Sequence, residues 1–270
     1  MMIGWLFISA AQAAEHGGGA HGKAVDPMEQ FHIVRYVPLK IFGVDVSFTN
    51  SSLWMVMALA LIAGFLFFSM RGASLVPNRV QSVGEVCYEF VANMVRDSAG
   101  HEGMKYFPVI FTIFVFVLAL NVLGMIPLPG LGNFTVTSHL IVTFGLAAFV
   151  WIGVTLIGIA KHGLHFFKLF VPSGVPLWLL PLITPIEIIS YFTRVVSLSV
   201  RLFANMMAGH TMLAVFGSFV VGLGLLGGWV PLLFMVFIMG LEILVAFLQA
   251  YVFAVLSSIY LNDALHAADH

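Results

Sequence analysis

Charge is scarce in this chain. Lys, Arg, Asp and Glu make up 9% of its 270 residues, against roughly 25% in a soluble domain, so an ordinary aqueous fold is excluded. Basic blocks are missing too, and a formal net charge of −1 leaves no electrostatic footprint for nucleic acid. The single cysteine, Cys87, has no partner for an internal disulfide and no ligand cluster around it, which removes a disulfide framework and a Cys-based metal site. What fills the space is apolar: 61% of the residues are hydrophobic and mean hydropathy is +1.06. The composition is that of an all-α, polytopic membrane protein.

The N-terminal residues 1–50 form an expected outer head. Met1 to Ala14 is a short apolar run ending in Ala11-Gln12-Ala13-Ala14, similar to a signal-peptide cleavage site but without a basic n-region. An export signal and a plain head both stand. A mitochondrial transit peptide is disfavoured, because the run lacks Arg and a Ser-rich amphipathic pattern, and this favours a bacterial inner (plasma) membrane over a mitochondrial one. Glu15 to Lys23 is rich in Gly and His and is expected to be flexible.

Residues 51–270 form the expected membrane domain. Spans of about 20 apolar residues cross a core of roughly 30 Å, and 53–70, 107–126 and 139–160 fit directly. Arg71 and Arg79 follow the first and Lys161 and Lys168 the third, which places those ends on the inner side. Over 80–97, Val80, Val83, Val86, Cys87, Phe90, Val91 and Met94 recur at helical spacing, as in an amphipathic helix lying on the inner surface. Two longer apolar stretches, 185–221 and 231–261, are separated by Gly222, Gly224, Gly227, Gly228 and Pro231. They predict a hairpin with arms of about 55 and 46 Å. Such arms fit the bilayer only if tilted by roughly 50°, or if a break at Gly209 intervenes.

Within this apolar background the charges stand out. From Leu169 to Asn262 only Glu187, Arg194, Arg201 and Glu242 are formally charged. Guanidinium does not lose its proton at accessible pH, and an intramembrane Arg costs about 2.5–3.5 kcal/mol on insertion scales, so it faces a cavity, a partner charge or an ion path. Steps of three and four align Ser190, Arg194, Ser197, Arg201, Asn205 and Ala208 in one stripe, with Glu187 on the same face. His210 points about 180° away, and Glu242 and Gln249 share a face of the second arm. Carboxylates and imidazoles at depth suit a proton relay. Arg201 cannot relay, but it can attract a carboxylate and separate two proton paths.

Other readings stand beside these. Thr184-Pro-Ile-Glu187 has the pattern of a capping box, which would make Glu187 a cap. Arg194 could snorkel or pair with a neighbouring subunit. Arg201 could form a structural ion pair with Glu242. His210 could be a hydrogen-bonded core histidine, and Asn205 and Gln249 could tie helices together. Met206 and Met207 suit packing against a sliding surface. Gly222-Leu-Gly224-Leu-Leu-Gly227 matches a dinucleotide fingerprint but joins apolar helices rather than a strand and a helix, so it is set aside. The pairs His16/His21, His162/His165 and His266/His270 lack acidic or thiolate companions. No metal or cofactor is expected.

The run Arg201-Leu-Phe-Ala-Asn205-Met-Met-Ala-Gly209-His210, with Glu187 upstream and Leu241-Glu242 to Gln249-Ala250-Tyr251-Val252-Phe253 downstream, resembles subunit a of the rotary F-type ATP synthase. The likeness continues in Asn121-Val-Leu-Gly124-Met-Ile-Pro127 and in Pro77-Asn78 ahead of the surface helix. It implies a non-catalytic stator subunit that passes protons through two aqueous half-channels, with Arg201 facing the carboxylates of a c-subunit ring. It further implies that Asn205, His210, Glu242 and Gln249 line the inlet, that Glu187 and Ser190 or Ser197 lie towards the outlet, and that peripheral-stalk b subunits are partners. Many relatives carry an acid at the position of His210, a His at that of Glu242 and an acid at that of Gly124; the exchanged His/Glu form occurs in mitochondria and some bacteria. His210 favours proton over sodium coupling, since imidazole titrates at about 6.5 and is a poor ligand for hard cations. A charge crossing about 200 mV delivers about 4.6 kcal/mol. The contrasting reading is a secondary transporter binding an anion at Arg201, but the N-terminal spans show no inverted counterpart of the Arg201 arm; a simple membrane anchor is a third.

Overall fold

The computed structural model describes residues 31–38, 40–41, 44–45, 47–71, 74, 77–126, 134–163, 166 and 179–266. The signal-like run, the Gly/His segment and one or both members of each histidine pair lie outside them. In chain order come strands β1 (Arg35–Val37), β2 (Lys40–Ile41), β3 (Val44–Asp45) and β4 (Phe48–Thr49) and helices α1 (Asn50–Met70), α2 (Arg79–Gly103), α3 (Phe107–Met125), α4 (Leu140–His162), α5 (Leu180–Gly227) and α6 (Trp229–Leu265). Short 3₁₀ turns at Met104–Tyr106 and Val136–Ser138 precede α3 and α4. Five helical stretches are long and apolar enough to cross a membrane, with α2 and α3 counted as one.

These elements gather into two compact units. One holds the described residues up to Ala58 with Leu120–His139 and Phe203–Leu248; the other holds Leu59–Ala119, Leu140–Leu202 and the residues from Gln249 on.

In the first unit, β1 and β4 pair antiparallel (Arg35 opposite Thr49) ahead of α1, and β2 pairs with β3. Sequence periodicity does not predict these strands, because two or three residues are too few to show alternation. Asn50 fixes the junction: its amide donates to the His32 carbonyl at 3.0 Å and its Oδ1 accepts from the Ser51 N–H at 2.9 Å. Buried apolar residues here include Trp54, Leu120, Phe134, Met206, Met235 and Ala246. The Phe216 and Phe234 rings stack at 5.8 Å and join the arms of the hairpin near its turn.

The second unit has the larger core, in which Val91, Val95, Phe114, Val117, Val150, Leu198, Leu202, Phe253 and Leu261 are buried together. Only part of the apolar face expected on α2 enters it. Val91 and Met94 are buried with Ala92, Val95 and Ala99, whereas Val80, Val83 and Val86 remain exposed on the first half of the helix. Among the described residues that half is an uncovered apolar surface, which suits a helix lying at a lipid interface. At the other end Lys161 is paired with Glu102, and Lys161 and His162 both meet the Leu265 carbonyl at the end of α6. Those contacts satisfy an acceptor that the helix itself leaves open.

Both hairpin arms are longer than the sequence predicts. α5 has 48 residues and α6 has 37; the 44 residues of α5 ahead of Gly224 span about 66 Å and α6 about 56 Å at 1.5 Å per residue. α5 starts at Leu180, ahead of Pro185, and runs unbroken through Gly209; its one non-helical residue is Gly224, at φ 59°. Glycine adopts that left-handed conformation without the Cβ clash of other residues, so the turn falls there. The alternative of a break at Gly209 is thereby corrected.

Candidate functional site: a surface arginine and a buried imidazole–carboxylate pair

Residues on α5 divide by face. Ser190, Ser197, Arg201, Asn205 and Ala208 are exposed and Glu187 is half-buried, while Val195, Leu198, Ser199, Leu202, Met206 and His210 are buried. The three- and four-residue spacing therefore lays the polar stripe along the open side of the helix. Glu187 is not a capping residue, because Thr184 already lies within α5 and has no free first-turn N–H to serve.

Arg201 has no ion pair or hydrogen bond among the described residues. Its guanidinium is thus free to meet an anion brought from outside the chain. The structural partner considered for it, Glu242, pairs with His210. Arg194 behaves differently from both bland expectations: Nη1 reaches Asp263 Oδ2 at 2.9 Å and the guanidinium lies 5.0 Å from the centre of the Tyr260 ring. Its counter-ion comes from its own chain. Asp263 and Tyr260 escaped sequence reasoning, because the hairpin's register cannot be read from the positions of its glycines alone.

In the first unit the structure brings His210 and Glu242 together. His210 Nε2 lies 3.4 Å from Glu242 Oε1, and the two residues are 6% and 4% exposed. A buried carboxylate without compensation is strongly unfavourable, so the nearby imidazole matters. Neither Glu242 oxygen receives a hydrogen bond among the described residues. Gly209 makes the approach feasible, since a Cβ there would lie 2.7 Å from Glu242 Oε1. A third group completes the cluster: Thr135 Oγ1 lies 2.8 Å from His210 Nε2, with Thr135 itself 3% exposed. Sequence reasoning missed Thr135, because a threonine in a loop carries no periodic signal. Asn121, fully buried, donates to the Ala246 carbonyl at 3.2 Å.

Gln249 is buried and Asn205 exposed, and neither makes a side-chain hydrogen bond among the described residues. Helix-to-helix hydrogen bonding, the structural alternative for both, is therefore absent there. α4 and α5 are tied instead by Thr155 and Tyr191 hydroxyls at 2.6 Å and by Thr143 and Ser199 at 3.4 Å. At the exposed end of α2, the hydrogen bond and charge of Lys161 hold the Glu102 carboxyl below its ordinary range.

An imidazole and a carboxylate in contact can exchange a proton, and an unpaired guanidinium can hold an anionic partner. The family described as ATP synthase A chain matches residues 52–262. The chain is 57% identical over 248 residues to an ATP synthase subunit a from Mesorhizobium japonicum, spanning 90% of this chain and 97% of that one. It is 58% identical to the subunit a of Pelagibacter ubique over 90% and 98% of the two chains, and 53% identical to that of Parvibaculum lavamentivorans over 95% and 98%. These matches set aside the anion-transporter and membrane-anchor readings. A multi-pass membrane protein with these helices and this sequence belongs to the ATP synthase A chain family, the non-catalytic, proton-channel a subunits of the F-type enzyme.

Proposed function

We propose that the chain conducts protons through two half-channels that open on opposite sides of the membrane, and that Arg201 keeps them apart while c-subunit carboxylates pass it. The observation that carries this reading is the contrast on α5. Arg201 is exposed and has no partner among the described residues, whereas His210 is buried against Glu242. A permanent cation on the open face attracts each arriving carboxylate and favours its ionised form. The proton so released leaves by the outlet side, where Glu187, Ser190 and Ser197 lie along α5. On the inlet side, His210 and Glu242 supply protons, with Asn205 and Gln249 as further polar stations.

The apolar half-face of α2 and the outward side chains of α1, such as Phe67 and Phe68, suit contact with lipid or peripheral-stalk b subunits. Bacterial relatives support an inner (plasma) membrane location. The test is Arg201→Ala in inverted membrane vesicles carrying the assembled complex. Proton-driven ATP synthesis is expected to fall to the uncoupled background, and retention of coupled synthesis overturns the mechanism.

A further inference from the structure

Resting on the inlet role proposed for His210 and Glu242, we infer that Thr135 is a positioning residue of the proton path, its hydroxyl holding His210 Nε2 towards Glu242 in both protonation states of the imidazole.

Thr135 precedes the 3₁₀ turn Val136–Ser138 in an extended conformation. Its carbonyl accepts from both the N–H and the hydroxyl of Ser138, which fixes the backbone from which the side chain projects. Gly124 leaves the space that the side chain fills: a Cβ there would lie 2.8 Å from Thr135 Cγ2 and 3.1 Å from Oγ1. Threonine is thus held on two sides. With χ1 restricted by its β-branch, it presents Oγ1 to the same nitrogen that faces the carboxylate, at 2.8 Å against 3.4 Å.

A hydroxyl both donates and accepts. When Nε2 carries no proton, the Thr135 O–H donates to its lone pair. When Nε2 is protonated, the hydroxyl turns and accepts from N–H. Nε2 carries one N–H, so transfer requires that it turn from Thr135 Oγ1 to Glu242 Oε1; the N–H bond then breaks, an O–H bond forms on Oε1, and imidazolium and carboxylate become neutral imidazole and carboxyl. Without the hydroxyl, the unprotonated state leaves the Nε2 lone pair facing only the Glu242 carboxyl group, with no donor when that group is ionised, a situation that a buried polar atom tolerates poorly. The titratable group facing His210 from α6 is Glu242. On the Thr135 segment the titratable group is His139, whose ring stacks on Phe134 at 5.0 Å.

The experiment compares Thr135→Val, which keeps the shape, with Thr135→Ser, which keeps the hydroxyl. Both are measured in the assembled complex in inverted vesicles, with Arg201→Ala alongside. Thr135→Val is expected to slow proton-driven ATP synthesis roughly five- to tenfold, the worth of one hydrogen bond to the relay, and to change the shape of the pH–rate profile. Thr135→Ser should retain the parental profile and a rate within about twofold. A Thr135→Val complex with the parental rate and pH profile overturns the inference, as does a slowed complex whose profile is unchanged. Thr135→Ala serves if Thr135→Val does not assemble; should neither hydroxyl-free variant assemble, the contact is one of folding and the inference falls. Loss of synthesis in Arg201→Ala with a normal Thr135→Val removes this inference alone, whereas coupled synthesis in Arg201→Ala removes the reading beneath it.

Discussion

Gly209 shows how one missing side chain can decide a site. It sits beside His210 and faces Glu242, and even a methyl group there would come 2.7 Å from the carboxylate. Replacing Gly209 by Leu should force α5 and α6 apart at this level, with an overpacking cost of about 1–3 kcal/mol. Its signature is impaired proton pumping together with a lowered thermal midpoint of the extracted complex, and unchanged values for both would show that Gly209 does not set the α5–α6 spacing. The residues that were legible in the sequence share one property: a charge or imidazole within an apolar stretch is conspicuous. Arg201, His210 and Glu242 stand out that way, and the helical period puts Arg201 and His210 on opposite faces of α5. Thr135 and Asp263 were not found, since one lies in a loop and the other near a polar helix end, where such residues are ordinary.

At the scale of elements, the hairpin is held at identifiable levels. The Arg194–Asp263 pair, each side chain about a third exposed, carries a modest energy of roughly 0.2–1 kcal/mol, to which the Tyr260 ring adds about 0.5–1 kcal/mol. A double-mutant cycle with Arg194→Ala and Asp263→Ala, read as stability of the extracted complex, should return a coupling of about 0.5–1 kcal/mol; additive effects would show that the pair is structural decoration. The existence of both arms was readable from long apolar runs broken by glycines. Their starts were not. Thr184-Pro-Ile-Glu187 has the pattern of a helix beginning, yet α5 is already under way by Leu180 and carries Pro185 inside it, at the cost of one i→i−4 hydrogen bond. The apolar face of α2 was likewise readable as a pattern, but the pattern does not say which half meets protein and which is left open.

For the molecule as a whole, the exposed polar stripe of α5 and the absence of a partner for Arg201 among the described residues make this chain incomplete by itself. On the proposed reading, a cysteine introduced at Ser197, on that open face, should form an oxidative cross-link to a cysteine placed beside the carboxylate of a c subunit. The same change at Leu198, which is buried, should give none. Equal cross-linking at both positions would mean that the open face points elsewhere. Five apolar helices and a surface helix were foreseeable from composition and run length. The division into two compact units, which cuts across four helices, had no counterpart in the sequence, since no linker or change of composition marks it.

The register of the long hairpin also has a mechanical meaning. On the proposed reading, a ring turning against α5 would push it sideways, and an unsupported helix of the 44 residues ahead of Gly224, about 66 Å, would flex under that thrust. α6 meets α5 through an ion pair at Arg194 in one unit, and through a glycine-fitted contact at Gly209 and stacked rings at Phe216 in the other. Such bracing would turn a pliant rod into a stiff bearing surface, so that torque would reach the rotor rather than be absorbed in the stator.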